Sequence, residues 1–237
     1  MLALRSLLFV ALFYLWSLIF SICAIPLLIA PSSWMARALP IWTHGILFLL
    51  RAICGIKVEI RGKQYIPTGP ALVAPKHQNM LDVFAEFAVL PHSIYVMKKE
   101  LVWIPFLAWY GLKLGCIVVD RDAHAKALRK MVADAKLRFQ KKRQLVIFPE
   151  GSRGEPGVAG DYKPGIAALY RDLDVPVHPV ATNSGVHWPK HGFMRKPGTI
   201  VFEYLEPIPP GLKRGEFMRE VQTRIDAATK ALEDEGL

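Results

Sequence analysis

The sequence predicts an α/β fold: a mostly parallel, mixed sheet with helices on both faces, preceded by an N-terminal two-helix membrane-associated hairpin. Two observations support this prediction. From Lys57 onward, short runs rich in apolar and β-branched residues alternate with helical stretches, as in strands joined by crossover helices. Before Lys57, apolar residues dominate the chain. We therefore expect a membrane-anchoring helical hairpin over residues 1–55 and one α/β domain over residues 56–237.

The hairpin is predicted from two apolar stretches. Ser6–Ala30 has no charged side chain, and its 25 residues are enough to span a bilayer, which needs about 20. This run is longer than the roughly 7–15 apolar residues of a cleavable signal peptide, so we expect a retained helix. Ala38–Leu50 is short for a span. Because Arg5 and Arg51 place positive charge on both flanks, we expect both ends on the cytoplasmic side, with a hairpin that dips into one leaflet. A complete crossing by the first stretch remains the alternative.

Composition and charge narrow the class of partner. The chain is 52% hydrophobic and carries a formal net charge of +10. This combination favours a membrane surface, whose anionic head groups attract Lys and Arg. We expect no nucleic-acid partner, because no nucleic-acid-binding motif accompanies the basic charge. The three cysteines, Cys23, Cys54 and Cys116, have no CxxC spacing, which indicates a reducing compartment and no metal site.

Seven strands and five helices are expected in the α/β domain. The strands lie at Val58–Ile60, Leu72–Ala74, Ile94–Met97, Cys116–Val119, Leu145–Phe148, Val177–Val180 and Ile200–Tyr204. The helices lie near residues 80–90, 103–113, 123–140, 165–173 and 214–234. The last helix has apolar residues at helical spacing and is most simply a cover for the sheet.

The first candidate site is the turn that contains His77. On one ideal helix His77 and Asp82 would lie roughly 140° apart. If His77 instead lies in the turn before the helix, Asp82 falls in the first helical turn and its carboxylate can reach the imidazole. An Asp that holds one ring nitrogen leaves the other free to accept a proton. The structural alternative is that Asn79 caps the helix and Asp82 complements its dipole.

Two further segments carry charged residues beside predicted strands, where open α/β sheets bind ligands. Gly115–Arg121 ends in a planar cation that suits a phosphate or carboxylate. In Phe148–Arg153, Glu150 can accept a hydrogen bond from a substrate hydroxyl and Arg153 can hold an anion. Surface turns closed by ion pairs are the structural alternatives for both segments.

The run Val175–Val180 is apolar but contains two prolines. Proline donates no hydrogen bond to a sheet, so this run is too Pro-rich for the interior of a central strand. We expect it to line an apolar groove or to form an edge.

The order of these motifs resembles the glycerolipid HxxxxD acyltransferase family. The motifs are HxxxxD at His77–Asp82, GxxxxDR at Gly115–Arg121, FPEGSR at Phe148–Arg153 and VPVxPV at Val175–Val180. Within that family the chain looks most like the bacterial 1-acyl-glycerol-3-phosphate acyltransferases, over roughly residues 55–210. It departs from the family pattern at Lys76, Asn79 and Ser152, where many members have other polar residues.

The resemblance implies a mechanism and a set of site residues. His77 would act as general base on the free hydroxyl of the acceptor, supported by Asp82, and the hydroxyl would attack an acyl thioester directly. The implied catalytic residues are therefore His77 and Asp82. The implied substrate-binding set is Lys98, Arg121, Glu150, Gly151, Ser152 and Arg153, with the arginines on the acceptor phosphate and Glu150 on its glycerol portion.

The function that follows from the resemblance is acyl transfer to the sn-2 hydroxyl of 1-acyl-glycerol-3-phosphate, giving phosphatidic acid. The expected partners are the bilayer, the lysophospholipid acceptor, and acyl-CoA or acyl-carrier protein as donor, with no further cofactor. The expected location is the inner membrane, with the catalytic domain on the cytoplasmic side.

Three other functions remain open. The acceptor can instead be glycerol-3-phosphate or a lyso-ornithine-type lipid. A serine lipid hydrolase is a second alternative, although no G-x-S-x-G nucleophile motif is present. A non-catalytic lipid-binding module is the third, and the intact His77–Asp82 pair argues against it.

Overall fold

A computed structural model describes residues 1–90 and 92–236. Over these residues the chain forms seven strands: β1 Ile56–Arg61, β2 Ala71–Pro75, β3 Ser93–Lys98, β4 Ile117–Val119, β5 Gln144–Val146, β6 Val177–Thr182 and β7 Gly198–Tyr204. The α-helices in the same residues are α1 Leu2–Cys23, α2 Ser32–Leu49, α3 Leu81–Val89, α4 Leu107–Leu114, α5 His124–Gln140, α6 Pro164–Leu173, α7 Ser184–His187 and α8 Arg214–Gly236. The predicted strands and helices are confirmed, and the short helix α7 was not predicted.

The strands form one mixed sheet in the order β1-β7-β6-β2-β5-β3-β4. Every neighbouring pair is parallel except β6 and β7, which are antiparallel. All residues of β2 and β6 are buried. A central strand is buried at every position only when both faces of the sheet are covered, so the predicted α/β class is confirmed.

The prediction that Val175–Val180 is too Pro-rich for a central strand is wrong, because β6 lies in the interior of the sheet between β7 and β2. The edge alternative is excluded for the same reason. Val177 exchanges two hydrogen bonds with Ile208, at 3.0 and 2.8 Å. Two residues on, Pro179 has its nitrogen on the same side. On that side the regular ladder with β7 has not yet begun, and the Pro179 carbonyl still accepts from Leu205 N at 2.9 Å. The missing donor therefore removes only the return bond to Leu205, at the end of the ladder, and leaves the rest of the ladder intact.

The second N-terminal helix is longer than predicted. The predicted stretch was Ala38–Leu50, whereas α2 begins at Ser32 and continues as a π-helical turn, Leu50–Cys54. The prediction took the extent of the apolar run as the extent of the helix. The helix instead continues because one face is buried at regular spacing, at Met35, Leu39, Thr43 and Ile46. Gly55, with a φ of 69°, then ends the helical segment before β1.

The two N-terminal helices share the core of the sheet domain. Phe13 of α1 stacks on Phe84 of α3 with ring centroids 5.9 Å apart, and Phe9 packs edge-on against Trp188 at 5.6 Å. α1 and the segment Ser32–Cys54 are both long and apolar enough to cross a membrane. The division at residue 55 stays a prediction.

Large apolar side chains are exposed on α1, α2 and α4. On the N-terminal helices they are Leu4, Leu7, Leu8, Tyr14, Leu15, Leu18, Ile19, Ile22, Trp34, Ile41 and Phe48. On and before α4 they are Trp103, Ile104, Leu107, Trp109 and Leu112, which we call the α4 patch. The two sets are connected, because Tyr110 of α4 donates a hydrogen bond to the Ser21 carbonyl of α1.

Candidate active site

Five parallel strands end at the same edge of the sheet: β6, β2, β5, β3 and β4. The predicted site residues follow these ends, with His77 after β2, Glu150 after β5, Lys98 at the end of β3 and Arg121 after β4. Open α/β sheets bind ligands beyond the carboxyl ends of their strands. The topology therefore brings the predicted residues to one edge.

The predicted contact between His77 and Asp82 is confirmed. β2 ends at Pro75 and α3 begins at Leu81, so His77 lies in the turn and Asp82 in the first helical turn. His77 Nδ1 is 3.1 Å from Asp82 Oδ2. An ionised carboxylate only accepts hydrogen bonds, so Nδ1 carries the proton and Nε2 keeps its lone pair. The imidazole is held in the tautomer that can accept a proton at Nε2.

The carboxylate of Asp82 is fully buried and firmly held. Besides the imidazole, Oδ2 accepts from the backbone N–H of Gln78 at 2.6 Å and of Asn79 at 2.8 Å, while Oδ1 accepts from Ser184 Oγ at 2.5 Å. These bonds offset the cost of burying the charge. The capping interpretation of Asn79 also has a basis, since its Oδ1 accepts from Leu81 N at 2.8 Å. Capping and the His77–Asp82 pair therefore coexist.

The imidazole of His77 is covered on one face by Phe148. The two ring centroids are 4.0 Å apart and the planes differ by 21°. The side chain of His77 keeps 15% of its surface exposed. The ring is thus packed and oriented, yet still reachable from outside the protein.

The FPEGSR turn clamps the backbone of His77 from both sides. Glu150 Oε2 accepts a hydrogen bond from the N–H of His77 at 3.2 Å, and Gly154 N donates to its carbonyl at 2.7 Å. The turn is tight because Gly151 N donates to the carbonyl of Phe148, and Gly151 adopts a φ of 68° that favours glycine. The FPEGSR motif therefore positions the HxxxxD motif.

Glu150 lies inside the protein, with 4% of its side chain exposed. Its Oε1 is 2.6 Å from Lys76 Nζ, and that amine is also 3.0 Å from Asp226 Oδ1. Burial alone would lower the pKa of Lys76, but the hydrogen bond and charge of Glu150, with those of Asp226, outweigh it and raise that pKa. A methyl group at Gly160 would lie 1.9 Å from Glu150 Oε1. The carboxylate is enclosed by protein groups, and its contact with an acceptor stays a prediction.

Arg121 reaches the FPEGSR turn from the end of β4. A methyl group at Gly151 would lie 3.6 Å from Arg121 Nη2. Within residues 1–90 and 92–236, no carboxylate forms an ion pair with Arg121. The exposed guanidinium is thus free to bind an anion beside the turn.

Arg153 and Ser152 are exposed on the same turn. Arg153 Nη1 donates to the carbonyl of Lys190 at 3.4 Å, and no carboxylate in the described part of the chain pairs with it. Because Gly154 is bonded to His77, the arginine lies next in sequence to a residue that touches the candidate base. This is a suitable place for the charged end of a substrate.

The two neighbouring lysines after β3 differ in their surroundings. Lys99 is paired with Asp120 at 2.7 Å and Asp122 at 3.0 Å, which ties it to a surface turn. Lys98 is exposed and level with Val119 in the β3–β4 ladder. Of the two, Lys98 is the better candidate for a phosphate contact.

Sequence reasoning missed five residues that support the candidate base. They are Lys76, Gln78, Ser184, Asp226 and Glu233. No local pattern marks Ser184 or the two carboxylates of α8, because their partners lie 102 or more positions away in sequence. The departure at Lys76 was the one visible signal.

Comparison with known proteins agrees with this geometry. Residues 57–183, more than half of the chain, match the family model described as Acyltransferase. A 1-acyl-sn-glycerol-3-phosphate acyltransferase of Pseudomonas aeruginosa is 34% identical over 159 residues, which are 67% of this chain and 62% of that protein. One of Saccharomyces cerevisiae is 26% identical over 186 residues, which are 75% of this chain and 61% of that protein. The chain thus spans about three fifths of the length of these relatives.

A solved structure shares the whole fold. The crystal structure of the 1-acyl-sn-glycerophosphate (LPA) acyltransferase PlsC from Thermotoga maritima superposes with a TM-score of 0.80. The superposition covers 98% of this chain and 99% of that one at 20% identity, so it supports the fold, including the two N-terminal helices. The match over residues 57–183 shows that the chain belongs to the Acyltransferase family.

Proposed function

We propose that this chain transfers a fatty acyl group from an acyl thioester to the sn-2 hydroxyl of 1-acyl-glycerol-3-phosphate, giving phosphatidic acid. The observation that carries the proposal is the His77–Asp82 pair, whose buried carboxylate fixes Nδ1 and leaves Nε2 to act as a base. The similar proteins of Pseudomonas aeruginosa and Saccharomyces cerevisiae are 1-acyl-sn-glycerol-3-phosphate acyltransferases, which supports the choice of acceptor.

The reaction proceeds by direct transfer. His77 Nε2 accepts the proton of the acceptor hydroxyl while the hydroxyl oxygen attacks the thioester carbonyl carbon. The tetrahedral intermediate collapses with cleavage of the C–S bond, and the leaving thiolate takes the proton back from His77. Asp82 stabilises the positive charge on the imidazole between these steps. The base forms no covalent bond with the acyl group.

Substrate binding in this proposal uses the cations at the sheet edge. Arg121 and Arg153 hold the acceptor phosphate, since guanidinium groups match phosphate oxygens bidentately. Lys98 adds a third positive charge, and Gly151 and Ser152 form the floor of the turn between them. The enclosed position of Glu150 favours a role in holding His77 over direct contact with the glycerol portion.

Membrane contact supplies the lipid acceptor. α3, which follows the His77 turn, packs on the hairpin, and Thr43 Oγ1 of α2 donates to the Phe84 carbonyl at 3.3 Å. The helix that follows the candidate base therefore packs against helices that are apolar enough to enter a bilayer. We place the hairpin and the α4 patch in the inner membrane, with the catalytic edge on its cytoplasmic side.

The test is an acyl-transfer assay with purified protein, a labelled acyl donor and a panel of acceptors, read by product mass. Both acyl-CoA and acyl-carrier protein are offered as donors. Wild-type protein is expected to form phosphatidic acid from 1-acyl-glycerol-3-phosphate, and His77→Ala to lose about 10²–10⁴-fold in rate with its fold intact.

Three outcomes would contradict the proposal. Near-wild-type turnover by His77→Ala would exclude the base. Preferred acylation of glycerol-3-phosphate or a lyso-ornithine-type lipid would change the acceptor. Stoichiometric labelling of Ser152 by a fluorophosphonate, with release of free fatty acid, would indicate a serine hydrolase instead.

A further inference from the structure

Two inward-facing carboxylates of the C-terminal helix α8 contact the turn that carries the candidate base. Other acidic groups of α8 form exposed pairs at the surface: Glu220 with Arg224, Asp234 with Lys230, and Glu235 with Arg61. Asp226 and Glu233 instead point towards the sheet edge. They are seven residues apart, which is close to two full helical turns, so both lie on one side of the helix.

Asp226 acts on the residue before His77. Its Oδ1 is 3.0 Å from Lys76 Nζ and accepts a hydrogen bond from Tyr162 at 3.2 Å. Lys76 is 2% exposed and also forms an ion pair with Glu150, whose carboxylate accepts a hydrogen bond from the N–H of His77. A continuous chain of charged groups thus runs from α8 to the backbone of the base.

Glu233 acts on the residue after His77. Its Oε1 accepts from Gln78 Nε2 at 2.5 Å, and its Oε2 accepts from Gly157 N at 2.9 Å. The side-chain oxygen of Gln78 accepts from Gly185 N at 2.8 Å. Gln78 is therefore held at both ends of its amide, and the base lies between two anchored neighbours.

This arrangement exceeds what a covering helix needs. The cover is provided by the apolar face of α8, which buries Phe217, Val221, Ile225 and Leu232. Removing charged groups from water is costly, and a sheet can be covered without it. The burial of the charged groups of Lys76, Glu150 and Glu233 therefore indicates another role, which is to fix the position of the turn.

We propose that α8 is a brace of the active site, and that Asp226 and Glu233 are positioning residues for His77. The inference rests on the proposed function, and it assigns part of the catalytic architecture to a helix outside residues 57–183, the stretch that matches the family. Through the side chains of Lys76 and Gln78, the two carboxylates hold the residues on either side of the base and so set the direction of Nε2.

The experiment uses the full chain with Asp226→Ala, Glu233→Ala, Lys76→Met and the double variant Lys76→Met/Asp226→Ala. Asp234→Asn is the matched control, because it removes an exposed carboxylate and its i,i+4 pair from the same helix. Three measurements are made: hydrogen exchange of the peptide spanning residues 76–82 by mass spectrometry, kcat and KM of acyl transfer, and the melting temperature of each variant.

The expected result is faster exchange of residues 76–82 in Asp226→Ala, Glu233→Ala and Lys76→Met, with none in the control. Kcat is expected to fall by about tenfold or more, as when a reacting group is displaced, while KM for both substrates stays within about twofold. Since Asp226 acts through Lys76, the double variant is expected to lose no more kcat than Lys76→Met alone.

Unchanged hydrogen exchange of residues 76–82 would overturn the brace. Variants that melt at a lower temperature but keep their kcat would also overturn it, as would losses of kcat that add in the double variant. Failure of the proposed function is a separate result, visible as absence of product with the wild-type chain. The exchange measurement tests the contacts between α8 and the turn without substrate.

Discussion

At the scale of single residues, one buried carboxyl group lies outside the site and has a strongly altered acidity. Glu86 follows Asp82 by one helical turn, is 1% exposed and accepts a hydrogen bond from the hydroxyl of Tyr204. Burial raises the pKa of Glu86 to about 7; the bond from Tyr204 opposes this shift, and the charge of Asp82 adds to it. The group is therefore part of the stability of the fold and not of the proposed chemistry.

A pH dependence of stability follows from Glu86. Between about pH 4.5 and pH 7 the folded chain keeps a proton that the unfolded chain releases, so rising pH favours unfolding across this window. We expect Glu86→Gln to lack this pH dependence, because glutamine does not ionise. At pH 8 its free energy of unfolding is expected to be about 3 kcal/mol higher than that of the wild type. Denaturant unfolding at pH 5 and pH 8 measures the difference.

The control for this prediction is Glu216→Gln, which removes an exposed carboxylate from the start of α8. It is expected to leave the pH dependence unchanged. Equal stability of Glu86→Gln and wild type at pH 8 would contradict the role assigned to the buried carboxyl.

At this scale, sequence predicted contacts between near neighbours and missed distant ones. The His77–Asp82 pair is local, so a turn followed directly by a helix is enough to place the carboxylate within reach of the ring. The bond from Ser184 to Asp82 depends on how β6 lies beside β2, which one sequence does not reveal. Charge counts likewise did not show which acids of α8 turn inward.

At the scale of elements, the packing of α1 on α2 depends on one glycine. Gly45 of α2 faces Trp16 of α1, whose indole N–H donates to the Trp42 carbonyl at 2.9 Å. A methyl group at Gly45 would lie 2.4 Å from Trp16 Cε2. The indole is held by its hydrogen bond, so relief of the clash requires the helices to separate.

We expect Gly45→Ala to destabilise the hairpin. Helix propensity favours alanine by about 1 kcal/mol, but overpacking costs about 1–3 kcal/mol, so the net loss is on the order of 1 kcal/mol. Thermal unfolding in detergent micelles measures it. Gly69→Ala is the control, because a methyl group there meets no atom of the described chain within 4 Å. A higher melting temperature for Gly45→Ala would contradict the close approach of the two helices.

Element types were predicted well because apolar periodicity is a strong signal over long segments. The two errors have one origin. Proline content was taken to exclude a central strand at Val175–Val180, and the apolar run Ala38–Leu50 was taken as the whole second helix. The structure instead accommodates Pro179 within β6 and begins α2 at Ser32. Whether such a residue interrupts an element depends on the segments that pack beside it. That packing is a property of the tertiary structure.

At the scale of the whole molecule, the exposed apolar surface extends from the hairpin onto the α/β domain. Trp103 is 87% exposed and Trp109 is 49% exposed in the α4 patch. Aromatic side chains of this kind prefer the membrane interface, where one part of the ring system is apolar and another is wet. If the hairpin enters a bilayer as proposed, the patch provides a second contact beside it and limits how the domain can rotate on the membrane.

The double variant Trp103→Ser/Trp109→Ser is therefore expected to bind liposomes about tenfold more weakly, corresponding to about 1.4 kcal/mol. Co-sedimentation with vesicles of zwitterionic and anionic lipid measures the binding. Leu137→Ser on α5, which also removes an exposed apolar side chain, is the control and is expected to bind normally. If the double variant binds liposomes as tightly as the wild type, α4 does not contact the membrane surface.

The brace has a consequence for the order in which the protein is made. About 150 positions separate Lys76 from Asp226, and at about 5–20 residues per second a ribosome needs roughly 10–30 s to synthesise them. The hairpin leaves the ribosome before the His77 turn, and the carboxylates that fix this turn in the proposed brace leave after it. If the hairpin enters the membrane as proposed, a nascent chain is anchored before the His77 turn is fixed, and each molecule becomes competent for the proposed chemistry only at the membrane.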